Sequence, residues 1–345
     1  SHIQIGIYPK QVIDEANEDL DFRLMRQLAF SGMKYRYKRP GKRIFTRLDK
    51  ELEIIREKGF VSYFLINWKI LKYARSKNYF YVGRGSGANS IVAYLLRITD
   101  VDPVELDLYF ERFINLYRKN PPDFDIDFSW MDRDDVTRFI FERFPNSSLL
   151  AVYNTFQYKA VIRELGKVFG LPKHEIDVLS KGKFEIKKLD QLNKLVLHYG
   201  ALIQGFPNYL SIHAAGILIS EKPIHYYTAT FMPPKGYPTT QFDMIVAEDV
   251  GLYKFDILSQ RGLGKIKDTL EVIRYNHPRT KPIDIHDIDR FKRDKKVKHL
   301  LRNAMAIGCF YVESPAMRML LKKLQVDNYL GLVAASSVIR PGVAK

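Results

Sequence analysis

Apolar and polar positions along this chain follow two periods, and the switches between them mark out its elements. Leu20, Leu24 and Leu28 recur every fourth residue and predict a helix over 11–30. Leu48, Leu52 and Ile55 predict a second over 46–58, stopped at Gly59. Phe64, Leu65, Trp68 and Leu71 predict a third over 62–77. Then comes a short apolar strand at 79–82, a glycine-rich loop and a helix over 89–96. A short helix is expected over 106–113. At 122–128 the alternation is strict, which predicts a strand, and Asp132 stands where it can cap the next helix, carrying Val136, Phe139, Ile140 and Phe144 on one face. A strand over 149–153 leads into a mostly helical stretch, 156–204, broken at Gly170-Leu171-Pro172 and Lys181-Gly182-Lys183. Strands are expected at 214–219, 239–244 and 251–258, and helix from Arg261 onward. Near the end, Ser314 reads as a cap and Pro315 as the first helical residue, ahead of a core stripe of Met317, Leu320, Leu321 and Leu324.

The strand at 122–128 organises the chemistry. Phe124, Ile126 and Phe128 point to one face, and Asp123, Asp125 and Asp127 to the other, about 7 Å apart at each step of two residues. Like charges on one strand face are unfavourable unless a cation sits between them. Mg²⁺ takes such oxygen ligands together with substrate phosphates. The alternative is an acidic edge strand facing water, but Asp is a poor strand former, and three in five positions favour a metal site.

Two further stretches bear on this. The run Gly83-Arg84-Gly85-Ser86-Gly87-Ala88, between a strand and a helix, can bring backbone N–H groups to a phosphate, with Arg84 and Ser86 adding a charge and a hydroxyl. It lacks the Lys-Ser/Thr ending of a Walker loop and the ribose-binding acid of a dinucleotide site, and an ordinary glycine-rich turn is the other reading. Lys254 and Asp256 share one face of a strand, either as a salt-bridged pair or as a phosphate ligand beside a metal ligand.

Composition narrows the partner. The 345 residues suggest two or three domains, and 46% hydrophobic residues are enough for real cores. A net charge of +16 points to a polyanion, nucleic acid first and acidic membrane second, the alternative being a generally basic soluble protein. The segment 34–43 interleaves six basic residues with two tyrosines, which suits a nucleic-acid backbone and its bases as well as a solvated linker. The basic run 292–298 reads as a solvated face. The single cysteine, Cys309, excludes an internal disulfide and a cysteine zinc cluster, fits a reducing cytosol, and is expected in a core because its neighbours are apolar. Neither a signal-peptide pattern nor an apolar run of membrane-spanning length is read, so no membrane partner is expected, and the chain reads as an excised piece of a longer one.

Three of these signals stand in one order: Gly83-Arg84-Gly85-Ser86, Pro122-Asp123-Phe124-Asp125-Ile126-Asp127 and Lys254-Phe255-Asp256. In this the chain resembles the bacterial C-family DNA polymerases, the DNA polymerase III alpha subunits. Tyr63-Phe64-Leu65-Ile66, Ile98-Thr99-Asp100-Val101-Asp102-Pro103, Phe110-Glu111-Arg112-Phe113, Lys159-Ala160-Val161-Ile162-Arg163, His213-Ala214-Ala215-Gly216, Gln241-Phe242-Asp243 and Ile339-Arg340-Pro341-Gly342 extend the likeness from about residue 45 onward. Asn89 stands where many members have glycine, and the segment at Thr155-Phe156-Gln157-Tyr158 is a few residues short.

The resemblance implies an α+β fold: a mixed-sheet nucleotidyltransferase palm, similar to DNA polymerase beta, formed by 1–156 and 212–261. It also implies an inserted helical thumb at 157–211 and the start of helical fingers over 262–345, without the family's phosphoesterase-like, clamp-binding and oligonucleotide-binding regions. Asp125, Asp127 and Asp256 correspond to the metal-binding catalytic carboxylates, and Gly85 and Ser86 to the loop that holds the incoming triphosphate. Lys254, Arg112, Arg118 and Arg340 correspond to further phosphate contacts, with Asp123 supportive and His213 structural. The implied activity is DNA-directed DNA synthesis in the bacterial cytoplasm, with two Mg²⁺ ions held when nucleotide is bound. Its partners would be primer-template DNA and dNTP, and the sliding clamp and other replisome subunits through regions outside this chain. On its own the chain is expected to extend a primer poorly. The alternatives are an error-prone relative of the replicase, a nucleotidyltransferase with a small acceptor, and a non-catalytic nucleic-acid-binding module, which would have no use for the carboxylates.

Overall fold

The computed structural model describes residues 17–111 and 120–339. It divides into two compact units, 1–263 and 264–345. In the first, helices α1 (Asn17–Arg36), α2 (Lys42–Glu57), α3 (Val61–Ser76), α4 (Ile91–Leu95) and α5 (Arg133–Arg143) build a layer on one face of a sheet. Helix α2 buries Ile44, Leu48, Leu52 and Ile55 at helical spacing, and Gly59 ends the turn after it with φ 68°. Helix α3 buries Tyr63, Phe64, Leu65, Ile66, Ile70 and Leu71 around most of its circumference, so it is the central helix. Its Phe64 ring meets Phe124 edge-on at 5.0 Å, and Tyr63 packs against Phe124 at 5.6 Å and Phe255 at 5.0 Å.

The sheet has seven strands: β1 (Tyr81–Arg84), β2 (Asp125–Ser129), β3 (Ser147–Thr155), β4 (Pro207–Ile219), β5 (Thr230–Phe231), β6 (Thr239–Thr240) and β7 (Lys254–Gln260). Their spatial order is β1-β2-β7-β4-β3-β6-β5. The sheet is mixed: β2 runs parallel to β7 and β3 to β6, and the other neighbours are antiparallel. Phe124, Ile126, Phe128, Phe255, Ile257 and Ile217 face the helical layer and are almost fully buried. Leu150 and Leu218, one residue out of phase with Leu149 and Ile217, belong to a second, smaller core with Ile224, Phe242, Ala247 and Leu252. Between β3 and β4 the register shifts after Leu149, and there His213 Nδ1 accepts the N–H groups of Ala215 (3.2 Å) and Gly216 (2.7 Å).

Helices α6 (Tyr158–Val168), α7 (Lys173–Ser180) and α8 (Gln191–Ile203) lie between β3 and β4 in sequence and share their own core of Ile162, Leu171, Ile176, Leu179 and Val196. The strand expected at 239–244 ends at Thr240, and α9 (Met244–Asp249) begins at its last residue, because the Asp243 carboxylate accepts the N–H groups of Ile245 and Val246 and starts a helix there. The helix expected over 106–113 is absent from the described residues 106–111, where Asp107 turns into the left-handed region at φ 51°. Asp132 occupies the cap position of α5 without capping it, since its own backbone is already helical (φ −98°, ψ −21°) and the side chain makes no capping bond.

The division between the units falls within α10 (Arg261–Asn276). The second unit continues with α11 (Ile288–Arg293), α12 (Lys295–Arg302), α13 (Pro315–Lys323) and α14 (Tyr329–Val338) around a core of Met317, Leu321, Val326 and Ala335. Ser314 caps α13 by accepting the Met317 N–H, with Pro315 at the first turn. Leu324 stays exposed rather than joining the stripe, because α13 ends at Lys323. Cys309 is also exposed, against its expected place in a core: Gly308 (φ 83°) and Tyr311 (φ 77°) turn the chain on either side of it.

Candidate active site

The alternation at 122–128 is realised with Phe124, Ile126 and Phe128 inward and the carboxylates on the opposite face. Asp125 pairs directly with Asp256 across the parallel β2–β7 ladder, and Asp127 follows two residues later on the same face. Asp127 is 4% exposed and Asp256 6%, while Asp123, just before the strand, is exposed. Three carboxylates thus gather on two adjacent strands, two of them nearly out of water.

Two basic side chains answer this charge. Strand β1 runs two residues further than its sequence predicts, which puts Arg84 opposite Asp125 in the ladder and not in the loop. The Arg84 guanidinium donates through Nη1 to Asp125 (2.7 Å) and through Nε to Asp127 (2.6 Å). Lys254, two residues before Asp256 on β7, donates to the Asp256 carboxylate. Burial raises the Asp125 carboxyl above its usual range and the Asp256 charge adds to this, while Arg84 pulls it down and only partly offsets them. Burial alone would lower Lys254, but its hydrogen bond to Asp256 and the surrounding acids outweigh it, and the ammonium is raised. Beneath them the phenol of Tyr63, pushed far up by burial, accepts the Phe124 N–H at 3.3 Å.

The glycine loop closes against the start of the acidic strand. Gly85 has φ 94°, and a Cβ there would lie 2.6 Å from the Asp123 carbonyl oxygen. Ser86 Oγ accepts the Asp123 N–H (3.0 Å), which leaves its own proton to donate, and the Gly87 N–H donates to the Asp123 carbonyl (3.0 Å). The expected helix start at Asn89 is instead a short 3₁₀ turn, Ser86–Asn89, followed by the five-residue α4 capped by Ser90. The helix-dipole part of the anion reading therefore falls away, and what remains is Ser86 and the loop backbone.

Behind the loop stands a network with no counterpart among the sequence expectations. Glu51, fully buried in α2, accepts from Arg47 Nε (2.9 Å), Ser90 Oγ (2.8 Å) and Val92 N–H (3.3 Å). Arg47 in turn donates to the carbonyls of Asn89 (2.8 Å) and Pro103 (3.3 Å). The pair ties α2 to the far end of the loop. Its signal was available: Glu51 sits three residues after Leu48 and four before Ile55, on the buried face of an amphipathic helix.

The structure brings together six of the nine residues singled out by sequence: Asp125, Asp127, Asp256, Gly85, Ser86 and Lys254. Arg112, Arg118 and Arg340 lie outside the described residues. Among the described residues, no three acid, histidine or cysteine side chains converge closely enough to hold a metal ion, since Arg84 and Lys254 hold the carboxylates instead. The donors nonetheless suit one. All are carboxylate oxygens, and among the described residues the buried Asp256 Oδ1 has no hydrogen-bond partner.

Residues 23–259 match the family model of the bacterial DNA polymerase III alpha NTPase domain, and residues 262–345 that of the finger domain of the same subunit. The chain belongs to the bacterial DNA polymerase III alpha family. It is 34% identical to an error-prone DNA polymerase of Symbiobacterium thermophilum, over 93% of this chain and 31% of that protein. It is 32% identical to DNA polymerase III subunit alpha of Borreliella burgdorferi, over 97% of this chain and 31% of that one, and 33% identical to the Bacillus subtilis subunit, over 92% and 30%. The chain thus spans about a third of the length of these relatives. No helix among the described residues is long and apolar enough to cross a membrane.

Proposed function

We propose that this chain carries the catalytic centre for template-directed DNA synthesis, transferring a nucleotidyl group from a dNTP to a primer 3′-hydroxyl. The observation that carries the reading is the pairing of Asp125 with Asp256 on adjacent parallel strands, with Asp127 on the same face. A module that only bound phosphate backbone would gain nothing from burying these acids.

Asp125, Asp127 and Asp256 would hold the divalent ions, Mg²⁺ being the metal that their oxygens and a substrate triphosphate suit. When bound, the ions supply charge that favours the ionised primer hydroxyl and the departing pyrophosphate. Arg84, which holds Asp125 and Asp127, would give them up to the ions, and Lys254, which holds Asp256, would be free to contact the triphosphate. The Ser86 hydroxyl and the loop at Gly85 position that triphosphate, with Arg112, Arg118 and Arg340 as further contacts. In this reading the mixed sheet is a palm of the DNA polymerase beta type, α6–α8 form the thumb, and the second unit begins the fingers. Primer-template DNA and dNTP are the partners; the sliding clamp and other replisome subunits would be met through other regions of the cytoplasmic polymerase.

The test is primer extension by a full-length polypeptide carrying this sequence, because the relatives are about three times as long as this chain. Asp125→Asn, Asp127→Asn and Asp256→Asn are each expected to abolish nucleotide incorporation while the protein stays folded, since each removes a ligand but also relieves like-charge repulsion. Near-normal incorporation by any one of them removes that residue from the site.

A further inference from the structure

The basic and aromatic stretch 34–43 has no part in the catalytic reading, and the fold wraps it around a cleft. Helix α1 ends at Arg36, because in a continued helix the ring of Pro40 would clash with the Arg36 carbonyl. The chain then turns at Gly41 into α2. The bend leaves a cleft of about 420 Å³, a volume in the range of small-ligand sites. Its walls are apolar: Phe30 and Met33 from α1, Tyr37 and Pro40 from the connection, and Phe45 from the first turn of α2. Tyr37 is fixed in place, its hydroxyl donating to Asp102 (2.9 Å) and its ring edge-on to Tyr94 at 5.8 Å. Phe45 is 38% exposed, so the cleft is open to water on the α2 side.

The only charged residues lining this cleft are Lys34 and Lys38. Both are exposed, and among the described residues neither has a carboxylate within ion-pair distance. The stretch 34–43 contains no acid. The acids that approach it are engaged by other side chains: Asp100 by Arg36, Asp102 by Tyr37 and Asp107 by Arg43. An apolar cleft with a purely cationic rim suits a flat apolar group that carries negative charge beside it. A nucleic acid pairs such a group with every charge, which neither an acidic peptide nor an anionic membrane does. Next to Lys34, the ring of Tyr35 is 56% exposed and has the Arg97 guanidinium 4.4 Å from its centroid, a second aromatic surface beside a cation. Helix α1 buries Met25, Ala29 and Met33 in the same core as Phe124, Ile126 and Phe128. The cleft therefore belongs to the helical layer, whereas the carboxylates lie on the other face of β2.

We propose that the cleft between α1 and α2 receives one unpaired base of a single-stranded nucleic acid, with Lys34 and Lys38 holding the flanking phosphates. A base inside a duplex is paired and stacked and cannot enter, so the site selects single strands. It does not rest on the catalytic reading.

Photocross-linking tests this. A single-stranded oligonucleotide containing iododeoxyuridine is irradiated at low salt with a full-length polypeptide carrying this sequence, and the cross-linked residues are mapped by mass spectrometry. Cross-links at Phe30, Tyr37 or Phe45 are expected. Replacing both exposed lysines, Lys34→Gln with Lys38→Gln, should raise the half-saturating concentration for those cross-links roughly tenfold. The same strand annealed to its complement should cross-link there far less. Absence of cross-links at these residues, or cross-links that the double variant does not weaken, overturns the proposal. Equal cross-linking by the duplex overturns it as well. Equal cross-linking by iododeoxyuridine monophosphate at the same concentration assigns the cleft to a free nucleotide instead. Displacement by polyglutamate as effective as by unlabelled strand shows that the rim reads charge alone, and also overturns it.

Discussion

Replacing Glu51 by Gln should change how the stability of the first unit depends on pH. Glu51 is fully buried, and burial raises its carboxyl from 4.5 to about 7, in spite of Arg47 and the hydrogen bonds from Ser90 and Val92. Between those values the folded protein keeps a proton that the unfolded chain has released. The stability this proton contributes is therefore complete below pH 4.5 and lost as pH rises toward about 7. At about 1.4 kcal/mol per unit, the loss amounts to roughly 3 kcal/mol. Gln cannot titrate, so the variant lacks this term. It also misplaces one hydrogen bond, costing about 1 kcal/mol at every pH. Wild type should thus be the more stable at pH 4.5–5, with the difference shrinking or reversing by pH 8. Urea unfolding can be followed by the fluorescence of Trp68 and Trp130, the two tryptophans of the sequence, both in the first unit. If the two stability curves stay parallel from pH 4.5 to 8, Glu51 is ionised throughout, and the pull of Arg47 exceeds the cost of burial.

Gly83→Ala should cost a few kcal/mol in the same unfolding assay, because its Cβ would fall 1.8 Å from the Ile98 carbonyl oxygen. Gly41→Ala, with nothing within 4 Å of its Cβ, is the control and should cost about 1 kcal/mol at most, alanine being the poorer residue at the start of α2; equal effects would rule out the close approach at Gly83. Arg84→Gln should lower the thermal midpoint in chelator, by leaving Asp125 and Asp127 unanswered, and millimolar Mg²⁺ should restore more of it than in wild type. Identical responses to Mg²⁺ would argue against a shared site for cation and guanidinium. Binding to primed DNA, measured by fluorescence anisotropy, should weaken steeply as salt rises, and a nearly flat plot of log affinity against log salt would remove the electrostatic argument.

What the sequence shows of this site divides along the range of the interactions involved. The faces of 122–128 were legible because alternation is a local property: any strand through Phe124, Ile126 and Phe128 sends Asp125 and Asp127 the other way. Lys254 and Asp256 were legible as a pair for the same reason. Which of their two readings holds was not, since that depends on β7 lying beside β2, and pairing between distant strands leaves no local mark. The family resemblance implied that Asp256 joins Asp125 and Asp127, and in the structure it lies beside them on β7, ion-paired with Lys254. Arg84 shows a finer failure. The expected strand, 79–82, and the observed one, Tyr81–Arg84, differ by two residues, a slip that keeps every side chain on its face yet moves Arg84 out of the loop and onto the acids. At Cys309 and Leu324 apolar character suggested a core, but backbone turns and a helix end decided exposure. The asparagine-capped and aspartate-capped starts at Asn328 and Asp243 show how a single side chain can set a boundary that hydropathy misses.

Stability alone gives no reason for the arrangement on β2 and β7. Apolar side chains at Asp127 and Asp256, at 4% and 6% exposure, would each bury area favourably, whereas a buried carboxylate loses solvation that an ion pair at best returns. Here the return is incomplete. Among the described residues, three carboxylates face two basic side chains, Arg84 and Lys254, and Asp256 Oδ1 has no hydrogen-bond partner. Arg84 is also the more exposed member of its pairs, its side chain 48% accessible, so its hold on Asp125 and Asp127 is screened and open to exchange. A surface selected for folding would close this deficit with another lysine or remove an acid. Keeping Asp127 and Asp256 buried and Asp125 and Asp127 clasped by a reachable arginine costs the fold energy at rest, and the catalytic reading proposed above would give that cost a use, a bound cation taking Arg84's place.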